Sequence, residues 1–451
     1  MVNGAELDRL IQGHQQFIKA AEEAERYYRN ENNIKLSGAA NLYQNKTDAE
    51  TNPLRTADNR ISHSWHNLLV NQKAGYALTY PPTFDVGSDR DNQAIAEVLG
   101  DDFGRESKNL AVDASNCGVS WLHYWKDDSG AFRYARVDPK QIIPVFSGDL
   151  QNELVGVLRA YVKVNDRGSL STRCEYWDSE TVRFYERETA GNYVDFVYPE
   201  VGSELRHNMG AVPFIPFYNN GTKLPDLALY KDLIDAYDRV VSGFANDIDD
   251  VQEVIFVIKN YGGEDKAEFL NDLKLKKTIK VDDDGGVDTI RAEIPHEARG
   301  AFLETVRKQI FVSGMGVDPE TETIGNASGV ALKFLYSLLE LKAGLMETEF
   351  RKGYAELVRA ICRNTGMKEP ARIIQTWTRN MIQNDLETAQ IAAESMGVIS
   401  RRSILKNHPW VEDVDIEEAQ LEDDAKKSAE NQKDSFGVIA NKPPDGEADE
   451  E

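Results

Sequence analysis

The stretch KDLIDAYDRVVSGFANDIDDVQEVIFVIKN, residues 231–260, decides how the rest of the chain is read. Apolar side chains fall at Ile234, Tyr237, Val241, Phe244, Ile248, Val251, Ile255 and Ile258, in steps of three and four. Such steps return to one face of a 3.6-residue helix, so the spacing predicts a helix with one unbroken apolar seam. At 1.5 Å per residue it would be roughly 40 Å long. The other faces carry Asp232, Asp235, Asp238, Asp247, Asp249, Asp250 and Glu253. One side asks for a protein neighbour, and the others face water or something that must not adhere. From this segment alone an ordinary amphipathic helix on a globular core fits equally well.

The chain has 451 residues, enough for about two or three domains and a sizeable core. It carries 52 basic and 76 acidic residues, a net charge of −24. Gripping nucleic acid through its phosphates needs a basic surface, and this balance is the reverse. DNA could meet it as something that slides past; acidity that keeps a large protein soluble is the plainer reading. Cys117, Cys174 and Cys362 are far apart with no CxxC, which fits a reducing compartment and argues against a disulfide framework or zinc site. The first residues, MVNGAELDRLIQGHQQF, lack the basic and apolar regions of a signal peptide. No apolar run approaches the ~20 residues of a membrane span. A soluble, intracellular protein without a membrane partner is expected.

In order, residues 5–30 read as a helix and 31–56 as a polar linker. A helix is predicted over 59–78, with Ile61, Trp65, Leu68, Leu69, Gln72 and Tyr76 on one face. His63 and His66 lie three apart on it, a spacing that can hold a metal; with no third ligand nearby, packing is the stronger reading. Residues 91–117 are helical. Strand-like runs follow at 119–125, 131–137, 154–164, 173–177, 181–186 and 193–197, with turns at 126–130, 165–168 and 188–191, a mostly antiparallel sheet region. Pro213 and Pro216 mark an extended edge. Beyond the opening stretch, 262–277 reads as helical, and 278–281 with 287–294 as a hairpin. The Asp282, Asp283, Asp284 cluster between them has the wrong spacing for a calcium loop and reads as a turn. A helix over 296–313 starts after Pro295 and breaks at Gly314. A polar loop leads into a long helix over 330–362, with Leu332, Leu335, Leu339, Met346, Phe350, Tyr354, Leu357 and Ile361 on or near one face. Gly344 and Gly353 inside it imply close packing or a kink. A strand at 371–378, helices at 385–396 and 399–407, and a disordered acidic tail over 430–451 complete the reading.

No nucleotide-binding, zinc-protease or serine-nucleophile motif is present. Asp249 and Asp250 are adjacent, so on a helix they point apart and make a poor acid/base pair. The expectation is a non-enzyme without cofactor or metal.

Four stretches then gain meaning together: Gly118–Trp121 with 138–145, Val212–Asn220, Leu233–Asp238 with Ala245–Ile248, and Ile324–Tyr336. In this order the chain resembles the portal proteins of tailed bacteriophages of the siphophage type, over residues 58–410. The resemblance implies an α+β portal fold and a closed ring of about twelve copies around a channel. It implies an N-terminal helix and linker (1–57), a wing (58–225), a first stem helix (226–260) and a clip (261–295). A second stem helix (296–317), a tunnel loop (318–329), a long helix (330–366), a return strand to the wing (367–384), a crown (385–429) and the tail (430–451) follow. The tunnel-loop residues would be Thr321, Glu322, Thr323, Ile324, Gly325, Asn326, Ala327, Ser328 and Gly329. The eight seam residues would pack the stem, and Asp247, Asp249, Asp250 and Glu253 would border the channel. Lys276, Lys277, Lys280 and Lys333 are candidate DNA contacts, with simple solvated lysines as the alternative. The implied role is a ring at one capsid vertex of the virion, assembled in the host cytoplasm. It would nucleate head assembly with major capsid and scaffold proteins, dock terminase, then hold a head-completion adaptor. Double-stranded DNA would pass without sequence specificity during packaging and ejection. Two other readings stay open: another oligomeric virion structural or adaptor protein, and a metal-dependent nuclease or hydrolase built on Asp282–Asp284.

Overall fold

The computed structural model describes residues 4–36, 57–164, 168–188, 191, 193–198, 202–251, 255–259, 286–290, 295–320, 333–380, 385–406, 411, 414 and 416–427. They form two compact units, residues 1–320 with 336–380, and residues 321–335 with 381–451.

The first unit opens with helix α1 (Gly4–Tyr28), helix α2 (Trp65–Leu78), strand β1 (Thr83–Asp85), helix α3 (Asp89–Leu99) and helix α4 (Phe103–Cys117). The helical region expected over 91–117 is therefore two helices, parted at Gly100 with φ +66°. The left-handed residue at the end of α4 is Gly118, at φ +82°, and a Cβ there would stand 3.0 Å from the backbone carbon of Lys223. Both features call for glycine, and they let the chain turn directly into the sheet.

That sheet region is antiparallel throughout. Strands β2 (Val119–Lys126), β3 (Phe132–Val137), β4 (Ile142–Phe146), β5 (Leu154–Val164), β6 (Leu170–Trp177), β7 (Thr181–Glu188), β8 (Val194–Asp195), β9 (Glu204–Arg206) and β10 (Phe214–Tyr218) make two sheets. One has the order β10-β2-β3, the other β4-β5-β6-β7-β8 with β9 on β7. Trp121 and Phe214 of the first pack with Ile142 and Val157 of the second. On the larger sheet, Leu7, Leu10 and Ile11 of α1 cover Ile143, Leu158, Cys174 and Tyr185. All three cysteines are free and buried.

Helix α5 (Lys231–Val251) follows, then strands β11 (Ile255–Lys259) and β12 (Gly286–Ile290), then helix α6 (His296–Ser313). One expectation needs correction. The predicted 30-residue helix ends at Val251, so Ile255 and Ile258 stand on a strand and leave the seam. The apolar, β-branched run Ile255–Ile258 fits either period, and pairing with residues 286–290 decides it. Residues 286–290 pair antiparallel with β11; residues 260–285, including the strand expected at 278–281, Lys276, Lys277, Lys280 and Asp282–Asp284, lie outside the described residues.

Helix α7 (Ser337–Thr365) starts after a turn at Tyr336, and residues 333–335 before that turn are also helical, so the expected long helix is interrupted at Tyr336. Leu339, Met346, Phe350, Tyr354, Leu357 and Ile361 are buried as predicted. Gly353 packs against Phe217, where a Cβ would stand 2.5 Å from the ring, whereas Gly344 has nothing within 4 Å. Strand β13 (Ile374–Thr376), shorter than the 371–378 run, pairs with β1. The second unit holds helices α8 (Asp385–Glu394) and α9 (Arg401–Lys406) and a helical stretch over 416–427, with Arg402 bonded to Glu418 at 2.7 Å. The tail over 430–451 is outside the described residues.

Candidate functional site

Helices α5 and α6 pack against each other and rise from one apolar base. Ile234 of α5 and Val306, Ile310 and Phe311 of α6 are buried there with Ala24, Tyr27, Leu69, Leu227 and Tyr230. Trp65 stands edge-on to both Tyr237 and Phe311, at 5.7 and 5.6 Å. Away from the base the seam opens. Val241 and Phe244 are half-buried, Ile248 is 42% exposed, and Phe302 of α6 is 45% exposed.

The acidic faces of α5 are largely taken up within the chain. Asp238 is wholly buried. It accepts from Asn32 Nδ2 at 2.6 Å and from the His63 N–H at 3.0 Å, and His63 Nδ1 lies 2.7 Å away. One turn on, Ser242 Oγ accepts from the Ile61 N–H at 2.9 Å, and then Asn246 Oδ1 from the Asn59 N–H at 2.5 Å. Asp249 accepts from Asn59 Nδ2 at 2.5 Å. Positions 238, 242, 246 and 249 share one helix face. Residues 59–63 therefore run along α5 as an extended strap, and this corrects the helix expected to start at residue 59. Ile61 belongs to the strap and not to the face of α2. On another side Asp247 pairs with Arg299 of α6 at 2.5 Å, and Asp235 accepts from the Tyr27 hydroxyl and from Lys231 Nζ. Of the acids expected at a channel, Asp247 and Asp249 are thus engaged within the chain; the Asp250 side chain and Glu253 lie outside the described residues.

Beneath the helix pair sits a buried charge cluster that the sequence reading missed. Asp226, in the 3-10 turn Asp226–Leu229 before α5, meets Lys73 of α2 at 2.7 Å and Lys342 of α7 at 3.0 Å. Lys73 Nζ also donates to Asn219 Oδ1 at 2.6 Å, and Asn219 Nδ2 donates to Asp226 Oδ1 at 2.8 Å. Lys342 Nζ donates to the Gly314 carbonyl at 2.8 Å, at the negative end of α6. Two ammonium groups therefore share one carboxylate, and one of them, Lys342, also meets a helix terminus. Burial pushes Asp226 up, but Lys342 and Lys73 outweigh it and hold the carboxyl well below its usual range. Burial draws Lys73 down to about 8 against the pull of Asp226. Next to this cluster His66 is buried between the Tyr230 hydroxyl at 2.7 Å and Asn116 Oδ1 at 2.9 Å, and burial lowers it to about 4, so it is neutral. His63 and His66 thus bond to different partners on different elements and do not converge on a common point. No local pattern announces this cluster; Lys73 and Asp226 are 153 residues apart in sequence.

The remaining candidates are scattered or unseen. Residues 321–329 lie outside the described residues, and Lys333 is exposed on a helical turn of the second unit. An open cleft of about 630 Å³ between the α3–α4 turn and β3 contains Arg105, Arg133 and Arg136. Each of these pairs with a carboxylate: Asp102, Asp127 and Asp113 respectively. Among the described residues no group of three or more potential metal ligands converges, and no helix is long and apolar enough to cross a membrane.

Comparison with known proteins matches residues 7–434 to the family described as phage portal protein, SPP1 Gp6-like. The portal protein of Clostridium phage phiCD119 is 43% identical over 436 residues, covering 92% of this chain and 94% of that protein. The portal protein of Bacillus phage SPP1 is 33% identical over 429 residues, covering 90% and 84%. A solved structure, the neck of an empty GTA particle computed with C6 symmetry, aligns over 76% of this chain and 89% of that chain with a TM-score of 0.45 at 12% identity. The family match begins at residue 7 and not at 58. It takes in α1, whose Leu7 sits in the core of the larger sheet.

Proposed function

The chain belongs to the SPP1 Gp6-like family of phage portal proteins, and from that premise we propose how its parts divide the work of the DNA passage at one capsid vertex. The two sheets with α1–α4 form the wing, α5 and α6 the stem, and β11 and β12 begin the clip, which therefore starts nearer residue 252 than 261. Residues 321–329 form the tunnel loop, α7 the long helix behind it, and 385–429 the crown. About twelve copies close the ring. Terminase docks on it during packaging and supplies the ATP hydrolysis, a head-completion adaptor replaces terminase afterwards, and capsid and scaffold proteins surround the wing during assembly in the host cytoplasm.

The observation that carries ring closure is the pattern of exposed apolar side chains. The helix pair leaves Ile248 and Phe302 open, and α7 presents Leu338, Leu341 and Leu345 at 39, 57 and 46% exposure along one stripe. Two different faces of one chain left apolar suit a head-to-tail contact, which closes into a ring when the rotation permits. The acidic balance of −24 disfavours tight phosphate binding along the passage. Asp250 and Glu253 stay assigned to the channel side. Asp247 instead braces α5 on α6, and Asp249 holds the strap.

Native mass spectrometry with negative-stain imaging of the full chain tests this reading. At 50.7 kDa per chain a ring of about twelve weighs roughly 600 kDa. Rings with a central hole are expected. A monomer or dimer that persists at high concentration with scaffold protein present would overturn the reading.

A further inference from the structure

The chain passes between its two compact units three times: after Glu320, before Tyr336 and after Asn380. Beside each of these points a residue of the first unit is held by one face of α2 and its C-terminal cap residue, Thr79. Leu69, Gln72, Tyr76 and Thr79 are spaced three, four and three apart, so they line up along that face.

At the first crossing the Gln72 amide grips Val317 in both directions. Its Nε2 donates to the Val317 carbonyl at 2.7 Å, and the Val317 N–H donates to Oε1 at 3.1 Å. The backbone lies close enough that a Cβ on Gly314 would stand 2.5 Å from Leu69 Cδ1. At the second crossing the Tyr336 ring stacks on Tyr76 at 5.7 Å and 18°, and the Tyr76 hydroxyl donates to Glu340 at 2.7 Å. At the third, the Asn380 N–H donates to the Tyr76 carbonyl at 2.9 Å, and its side-chain amide to Thr79 Oγ1 at 3.3 Å. Arg379 joins the last two: it binds Glu340 at 2.9 Å and Glu347 at 2.5 Å, with its guanidinium 5.8 Å from the Tyr76 ring centre.

We infer that α2 is the common positioning element for the first-unit residues that flank these three points, 314–320, 336–342 and 377–380, with Gln72 and Tyr76 as its positioning residues. A helix is a stiff, internally bonded rod, and the opposite side of this one is packed into the core through Lys73, Ala74 and Ala77. A disturbance at one crossing therefore reaches the other two through a shared body and not through separate anchors. The inference uses contacts within one unit and does not depend on ring formation.

Hydrogen exchange read by mass spectrometry on the full chain tests it. Gln72→Ala removes both bonds to Val317 and touches neither Tyr336 nor Asn380. Exchange at 314–320 should quicken about fivefold, and exchange at 336–342 and 377–380 about twofold or more, with 157–164 of the sheet unchanged. Arg307→Ala loosens the same first crossing by releasing Asp318 and Glu320, without touching α2. It should act on 314–320 alone. Tyr76→Phe keeps the ring and removes the hydroxyl, and it should quicken 314–320 as well as 336–342. The inference is overturned if Gln72→Ala acts only on 314–320, or if Arg307→Ala spreads as far as Gln72→Ala. Should Gln72→Ala fail to fold, Tyr76→Phe decides alone, and unchanged exchange at 314–320 would overturn the inference.

Discussion

The two halves of α5 are built on opposite plans. Near the base, Ile234 is sealed in the core, Asp235 and Asp238 are bonded to other elements, and the charge cluster around Asp226 lies just below. Toward the far end, Ile248 is open to solvent and the polar contacts thin to the strap and to Arg299. The difference separates what one chain stabilises alone from what it leaves for a neighbour. The base orients the helix pair, and the far half leaves apolar side chains, Ile248 and Phe302, uncovered.

The largest test of that contrast is Asp226→Ala. It leaves Lys73 and Lys342 in the core without their carboxylate, and unfolding of the chain by denaturant should show a loss of about 3–5 kcal/mol. A loss below about 1 kcal/mol would mean the base is not held by this cluster. Asp238→Ala comes next. It unties the strap and leaves Asn32 and the His63 N–H without their acceptor, at a cost of about 2 kcal/mol. Hydrogen exchange should quicken at 61–63 and stay unchanged in β5.

Lys73 sharpens the comparison through pH. Its folded value of about 8 lies below the ordinary 10.5. Between these values the unfolded chain holds a proton that the folded chain has released. Stability from this group therefore rises with pH across that window, by at most about 1.4 kcal/mol per pH unit, and the burial penalty stands in full below it. Measured as parent minus Lys73→Met, the unfolding free energy should climb from pH 8 to 10; a flat difference would show that Lys73 is not strained. The smallest effect on the single chain belongs to the far half. Ile248→Ser with Phe302→Ser should change its stability by no more than about 0.5 kcal/mol, yet ring yield in negative stain should fall. A large loss of single-chain stability would erase the distinction between the two halves.

Much of the fold was legible wherever local signals agreed. The bounds of α6, His296–Ser313, follow from Pro295 before it and Gly314 after it. The buried positions of α7 follow the 3.6-residue period, and the antiparallel sheets follow short strands between turn residues. Legibility failed where one local pattern admits two structures. Ile255 and Ile258 continue the three–four count of α5 and equally suit a strand, and only pairing with 286–290 separates the two. Ile61 fits the apolar face of α2, but hydrogen bonds to Ser242, 181 residues away, draw its segment into the strap. The functional positions were the least legible. The acids of α5 all look alike in sequence, and whether one meets solvent, Arg299 or His63 depends on long-range packing. Asp238, read as surface, is wholly buried against Asn32, a partner 206 residues away that no local pattern announces.

The three buried cysteines have a practical corollary. Burial pushes the Cys174 thiol up to about 11 and raises Cys117 and Cys362 as well, so near neutral pH almost no thiolate is present to react. The chain is thus a nearly blank background for sulfhydryl reagents. One cysteine placed at Ile248 and another at Phe302 would be the reactive ones, and the cross-links that they form could be read as a ruler laid from each copy to the next.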